Sequence, residues 1–224
     1  MRPSFSVFPA LCLLLASGSL ADKCVMRSHC GHDDSLDKPV PCKVSEEPKA
    51  LAQSDRQLFE EVCPDLAATT DLACCDVEQL RALKADLQQP IDIGMKHYPS
   101  CLRNFRNIFC HLLCSPKQSD FVKVVDSKDS REGKPEVTKA VYALSRKFTE
   151  GAYKSCENVR VKGIFKLMTF MCGWWCDSQK WFTYLGSTAS EGGYSPYKLE
   201  FKITNDETVE VDGTELRPMN ADVI

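Results

Sequence analysis

The thirteen cysteines limit what this chain can fold into more than any other feature. One of them, Cys12, sits in an N-terminal stretch with the marks of a secretory leader. That stretch runs from Met1-Arg2 through the apolar Phe5 to Leu15 and ends in small residues at Ala21, before the charged pair Asp22-Lys23. The apolar run is too short for a membrane anchor, which needs about 20 such residues. The reading is therefore a signal peptide over 1–21 and one mature domain over 22–224. Cleavage leaves twelve cysteines, and an even number in an exported chain reads as six disulfides.

Charge and composition narrow the function classes. Loss of Arg2 with the leader leaves 27 basic against 31 acidic residues, without a block of either sign. A net charge of −4 argues against nucleic acid and anionic membrane surfaces as partners. No later stretch has the length of a membrane span, so no transmembrane segment is expected. His29, His32 and His111 stand beside cysteines, and Cys110 and Cys114 would share a helix face, so a metal site is conceivable. An oxidising compartment favours disulfides over zinc, and no metal or other cofactor is expected. There is no G-x-S-x-G or H-E-x-x-H pattern, and no cysteine is left over as a nucleophile. The expectation is a binding protein and not an enzyme.

Hydrophobic periodicity gives a coarse map. Cys24 to about Ala52 is polar and rich in Asp, Lys and Pro, which predicts an irregular segment held by bridges. Asp55 to Val62 reads as a short helix. Asp76 and Gln79 stand in capping-box spacing ahead of the stripe Val77, Leu80, Leu83 and Leu87, and Pro90 marks the expected end. Pro99 opens a third helix carrying Leu102, Phe105, Ile108, Phe109, Leu112 and Leu113. Phe121 to Val125 reads as a strand and Asp126 to Pro135 as a loop. Val137, Ala140, Val141, Leu144, Phe148 and Ala152 predict one long helix. The alternating Tyr197, Leu199, Phe201 and Ile203, then Val209 and Val211, predict a hairpin around Asn205-Asp206. Such helix faces are either plain core or walls of an apolar cavity, and composition does not choose between them.

A resemblance does choose. Cys74-Cys75-Asp76-Val77-Glu78-Gln79-Leu80, Pro99-Ser100-Cys101, Phe109-Cys110 and Cys114-Ser115-Pro116-Lys117-Gln118-Ser119 closely resemble the N-terminal luminal domain of the Niemann-Pick C1 sterol transporters. Cysteine order and spacing agree from Cys24 to Cys176, and Trp181, Tyr184 and Arg217-Pro218-Met219-Asn220 also find counterparts. The resemblance implies an α+β fold, a disulfide-rich helical layer packed on a small mixed β-sheet and enclosing an apolar ligand pocket. It implies the bridges Cys24–Cys74, Cys30–Cys42, Cys63–Cys110, Cys75–Cys114, Cys101–Cys156 and Cys172–Cys176.

The same resemblance assigns a sterol site. Gln79 matches the glutamine that holds the sterol 3-hydroxyl, an amide being able to donate and accept as a hydroxyl requires. On the residues alone, Gln79 reads better as a partner of Asp76 in the capping box. The implied walls are Met26, Leu83, Leu102, Tyr184, Leu185, Pro196 and Tyr197, with Phe170 and Met171 at the mouth, where a soluble Niemann-Pick C2-like carrier would dock. Two positions depart from the family: Pro41 replaces an asparagine that meets the hydroxyl, and His29 replaces an acidic residue. The expectation is a monomeric, non-catalytic sterol carrier, or the luminal domain of a sterol transporter, in the extracellular space or the endosome and lysosome lumen. The rival readings are a folate- or riboflavin-type vitamin-binding protein and an interaction module with no small ligand.

Overall fold

A computed structural model describes residues 22–224 apart from 131, 132 and 162, so the leader assigned to 1–21 lies outside the described residues. Along the chain come β1 (Cys24–Asp33), β2 (Lys38–Glu46), β3 (Lys49–Ala50), α1 (Gln53–Val62), α2 (Pro64–Ala67), β4 (Leu72–Ala73), α3 (Val77–Ile93) and α4 (Pro99–Cys114). There follow α5 (Gln118–Phe121), β5 (Val122–Asp129), β6 (Pro135–Ser145), α6 (Arg146–Cys156), β7 (Arg160–Val161), β8 (Phe165–Lys166), α7 (Leu167–Cys172) and α8 (Ser178–Leu185). The chain closes with β9 (Lys198–Thr204), β10 (Val209–Val211) and β11 (Thr214–Leu216). Among the described residues no helix is long and apolar enough to cross a membrane.

A five-stranded mixed sheet carries the helices. Strand β6 is its centre: β5 runs antiparallel along one edge, while β2 meets it at Glu136 and β9 runs parallel from Lys139 to Ser145. Val137 and the run Ala140 to Leu144 are all buried. A strand covered on both faces loses its alternation and reads as a continuous apolar run. That is why the sequence predicts a helix from Val137 onward, whereas the structure has a strand. The β-branched and aromatic residues Val137, Thr138, Val141 and Tyr142 favour this outcome. The helix begins only at Ser145, whose hydroxyl accepts from the Phe148 amide and caps α6.

Four other expectations give way. The segment from Cys24 is not irregular but an antiparallel hairpin of β1 and β2, bulged at several points and crossed by the Cys30–Cys42 bridge. Its polar composition reflects half-buried strands. Helix α3 passes through Pro90 and ends at Ile93, since a proline in the last turn costs only one backbone bond. The C-terminal strands do not pair with each other around Asn205-Asp206. Strand β9 pairs with β6, and β10 turns back onto β11 through Asp212-Gly213, with φ of 43° and 73°. Two successive positive φ values are what a type I′ hairpin demands, and Asp-Gly supplies them. The predicted loop after Val125 is also shorter than expected, because β5 continues to Asp129.

Six disulfides staple these elements, and they join the pairs implied by the resemblance. Between sheet and helices a chain of rings fills the core, from Phe121 to Tyr142 to Phe201 to Phe182 to Trp181 to Phe105, with centroids 5.1 to 6.2 Å apart. Such contacts add to the area the rings bury and fix how α4 and α8 sit on the sheet.

On the opposite side of α4, His111 packs against Phe121 in a second cleft also lined by Lys117, Asp120 and Arg217. Burial lowers the His111 pKa from 6.5 to about 4, although the charge of Asp65 pulls the other way. The unfolded chain therefore takes up a proton on this residue before the folded one does, and stability drains away as pH falls from 6.5 toward 4. We expect a loss of about 2 kcal/mol from this residue at pH 5. Asp120, whose pKa burial raises, acts in the opposite direction. The check is therefore urea unfolding of wild type against His111→Phe between pH 7 and 5, and an unchanged slope in the variant would disprove it.

Candidate ligand site

Helix α3 is started by Asp76, whose carboxylate accepts from the Gln79 amide at 3.0 Å. Gln79 Oε1 accepts in return from Asp76 N–H at 3.2 Å, completing the capping box, and from Ser28 N–H at 2.8 Å. Ser28 sits at φ 58° in a bulge of β1, and its hydroxyl donates to Asp76 at 2.5 Å. Two N–H donors converging on one oxygen fix the amide orientation, because the reverse placement would set N–H against N–H. Nε2 is thereby turned away from the backbone. It has no protein partner among the described residues, and Gln79 lines a cavity. The oxygen is thus taken up by the cap and by Ser28, and the nitrogen is not.

The cavity holds about 210 Å³. Helix α3 gives it Gln79, Leu83, Leu87 and Ile93, and α4 gives Phe105, Phe109, Leu112 and Leu113. Leu167, Phe170 and Met171 of α7 close another side, and the far wall is Tyr184, Leu185 and the stretch Tyr194 to Tyr197, with Leu199 of β9. Lys38 and Asp86, paired at 3.2 Å, belong to the lining as a charged pair. Burial pushes the Tyr197 phenol well above its ordinary range, so it stays protonated.

Of the residues assigned from sequence, the structure brings Gln79, Leu83, Tyr184, Leu185, Pro196, Tyr197, Phe170 and Met171 to this cavity. It does not bring Met26 or Leu102. Met26, on β1, is fully buried in the core, with its amide donating to Gln118 Oε1 at 2.8 Å. Leu102 lies one helical turn before Phe105, where the cavity has ended, and packs half-buried against the core. Periodicity shows which face is apolar but not what it faces, so the sequence leaves Phe105, Phe109, Leu112 and Leu113 open between core and wall, and the structure places all four in the lining.

The two departures from the family pattern meet in space. His29 and Pro41 are register partners across β1 and β2, and both line the cavity with Gln79. Burial lowers the His29 pKa, while the charges of Asp76 and Glu78 oppose the shift. A neutral imidazole offers one donor and one acceptor, so this end of an otherwise apolar chamber is equipped for a small polar group.

The model of the Niemann-Pick C1 N terminus matches residues 21–224. The chain belongs to the Niemann-Pick C1 N-terminal family. It is similar to the NPC intracellular cholesterol transporter 1 of Sus scrofa, 31% identical over 206 residues that make up 88% of this chain and 16% of that protein. It is similar as well to the NPC1-like intracellular cholesterol transporter 1 of Rattus norvegicus, at 28% identity over 96% of this chain and 17% of the relative. A Caenorhabditis elegans protein, NPC intracellular cholesterol transporter 1 homolog 1, is 30% identical over 73% of this chain and 13% of its own length. The chain thus spans about a sixth of the length of the first two of these curated relatives.

Proposed function

We propose that this domain binds a sterol non-catalytically, with the ring system between α3, α4 and α7 and the 3-hydroxyl at Gln79 Nε2 and His29. The observation that carries the reading is a largely apolar chamber with Gln79 at one end, whose Nε2 has no protein partner among the described residues. Relatives named as cholesterol transporters supply the ligand class. His29 provides the second hydroxyl contact in place of an asparagine at position 41. Where the domain resides in the secretory and endosomal system, and whether a Niemann-Pick C2-like carrier meets the Phe170–Met171 mouth, follow from the same analogy.

The size of the cavity sets a condition on entry. Pockets enclosing drug-sized ligands have volumes of roughly 300–1,000 Å³, and this one is smaller. A sterol enters only if a wall moves, and α7, a helix of six residues between a two-stranded hairpin and a disulfide loop, is the wall with least support. About 28 heavy atoms at roughly 0.3 kcal/mol each give an affinity near micromolar.

Saturation binding of labelled cholesterol and of its 3-epimer tests the reading. Cholesterol should bind about tenfold or more tightly than the epimer, the worth of a hydroxyl pairing lost in a buried site. Gln79→Ala should erase that preference and destabilise the fold by about 1–3 kcal/mol, since two amides lose their acceptor. Gln79→Glu, which keeps the acceptor for both, serves as the folding control. Equal binding of the epimers to wild type would remove the hydroxyl site, and no binding of either would remove the function.

A further inference from the structure

Among the described residues, most of the large apolar side chains that face water are clustered, Leu72 and Ile224 being the exceptions. Ile164 and Phe165 are 67% and 69% exposed at the tip of the β7–β8 hairpin, Phe170 is 76% exposed on α7, and Trp174 and Trp175 are 88% and 85% exposed in the Cys172–Cys176 loop. All five fall within one short stretch, and Phe170 also lines the cavity. Tyr194, half exposed, joins them from the opposite side of the mouth. Burying none of these in the fold leaves apolar surface in water, a recurrent mark of an interaction site.

The backbone beneath the patch points to the partner. Arg160 Nη1 donates to the Ile164 carbonyl at 3.1 Å, and Lys180 Nζ donates to the Trp175 carbonyl at 2.7 Å. Both apolar tips therefore have a carbonyl already occupied by a cationic side chain. In a hydrocarbon boundary an unpaired carbonyl is costly, and this arrangement removes the cost. Arg160, Lys180 and the exposed Lys166 place positive charge at the base of the tips, at the level of lipid phosphates when the tips are inserted. Tryptophan prefers that boundary over both water and hydrocarbon.

We propose that Ile164 to Trp175 form a membrane-interface anchor that seats the mouth of the cavity on a phospholipid bilayer, so that sterol passes between bilayer and cavity without crossing water. The inference rests on the sterol reading for its cargo but not for its docking. With a mature net charge of −4 against it, attachment comes from aromatic insertion rather than from long-range attraction, so zwitterionic lipid suffices.

The test uses the oxidised protein and sterol-free phosphatidylcholine vesicles with brominated acyl chains. Wild-type tryptophan emission should shift to the blue and be quenched. Trp181 is fully buried and reports the intact fold. Trp174→Ser/Trp175→Ser should lower the vesicle-bound fraction in flotation by about tenfold or more. Uptake of labelled cholesterol from a second set of phosphatidylcholine vesicles that carry it should fall with it, while sterol delivered from cyclodextrin binds as in wild type. Absence of vesicle binding, binding or vesicle uptake unchanged by the substitutions, or protection of the tryptophans by a soluble sterol carrier but not by vesicles, would overturn the proposal. Vesicle binding without any cyclodextrin-delivered sterol uptake would instead keep the anchor and refute the cargo.

Discussion

Replacing Cys101 and Cys156 together by alanine is expected to cost about 4 kcal/mol of unfolding free energy by the loop-entropy argument. The two residues are 55 positions apart in sequence, join α4 to α6, and are fully buried. Cutting that link frees a long loop in the unfolded chain, and a domain with an ordinary stability of 5–15 kcal/mol keeps little in reserve. The Cys172–Cys176 bridge closes only four positions and sits at the surface end of α7. Its removal should cost far less. Urea unfolding of the two double variants checks the contrast, and equal losses would show that the staples do not act through chain entropy.

Gly186→Ala should be nearly as damaging, at about 3 kcal/mol, the upper end for overpacking. Gly186 caps α8, and a Cβ there would stand 1.9 Å from the Leu199 carbonyl oxygen. The neighbour is backbone, so no rotamer change relieves the clash. The Leu199 amide also donates to the Gly186 carbonyl at 2.9 Å, and the contact binds α8 to β9. Because Leu185 and Leu199 both line the cavity, the variant should lose sterol binding together with stability. Gly192→Ala is the control: its φ of 81° is strained for alanine, but there is open space around it, so about 1–2 kcal/mol is expected. Urea midpoints and sterol saturation curves measure both, and a Gly186→Ala protein with wild-type values would show that α8 and β9 separate freely.

What could be read from the sequence depended on whether the signal was local. The Asp76–Gln79 capping box needs residues three apart and was visible as such. The pairing of twelve cysteines is non-local, and only the likeness to a family indicated it. Val137 to Leu144 misled because burial on both faces erases the period of a strand. Asp212-Gly213 was a sound turn signal, but the alternation upstream of Asn205 drew the hairpin to the wrong pair of strands. His29 and Pro41 could be flagged as departures one at a time. That they face each other depends on the bulged register of β1 and β2, which no spacing rule conveys.

The parallel seat of β9 beside β6 also has a consequence for biosynthesis. Gln79, Leu83 and Phe109 leave the ribosome well before Tyr184 to Leu199, yet the chamber has no far wall until β9 slots into the sheet. Sheet closure of that kind waits for contacts between residues far apart in the chain, such as Lys139 with Lys198. In a nascent protein the two helices thus present an unroofed greasy trough, and holding that trough from its neighbours is the task that falls to chaperones during synthesis.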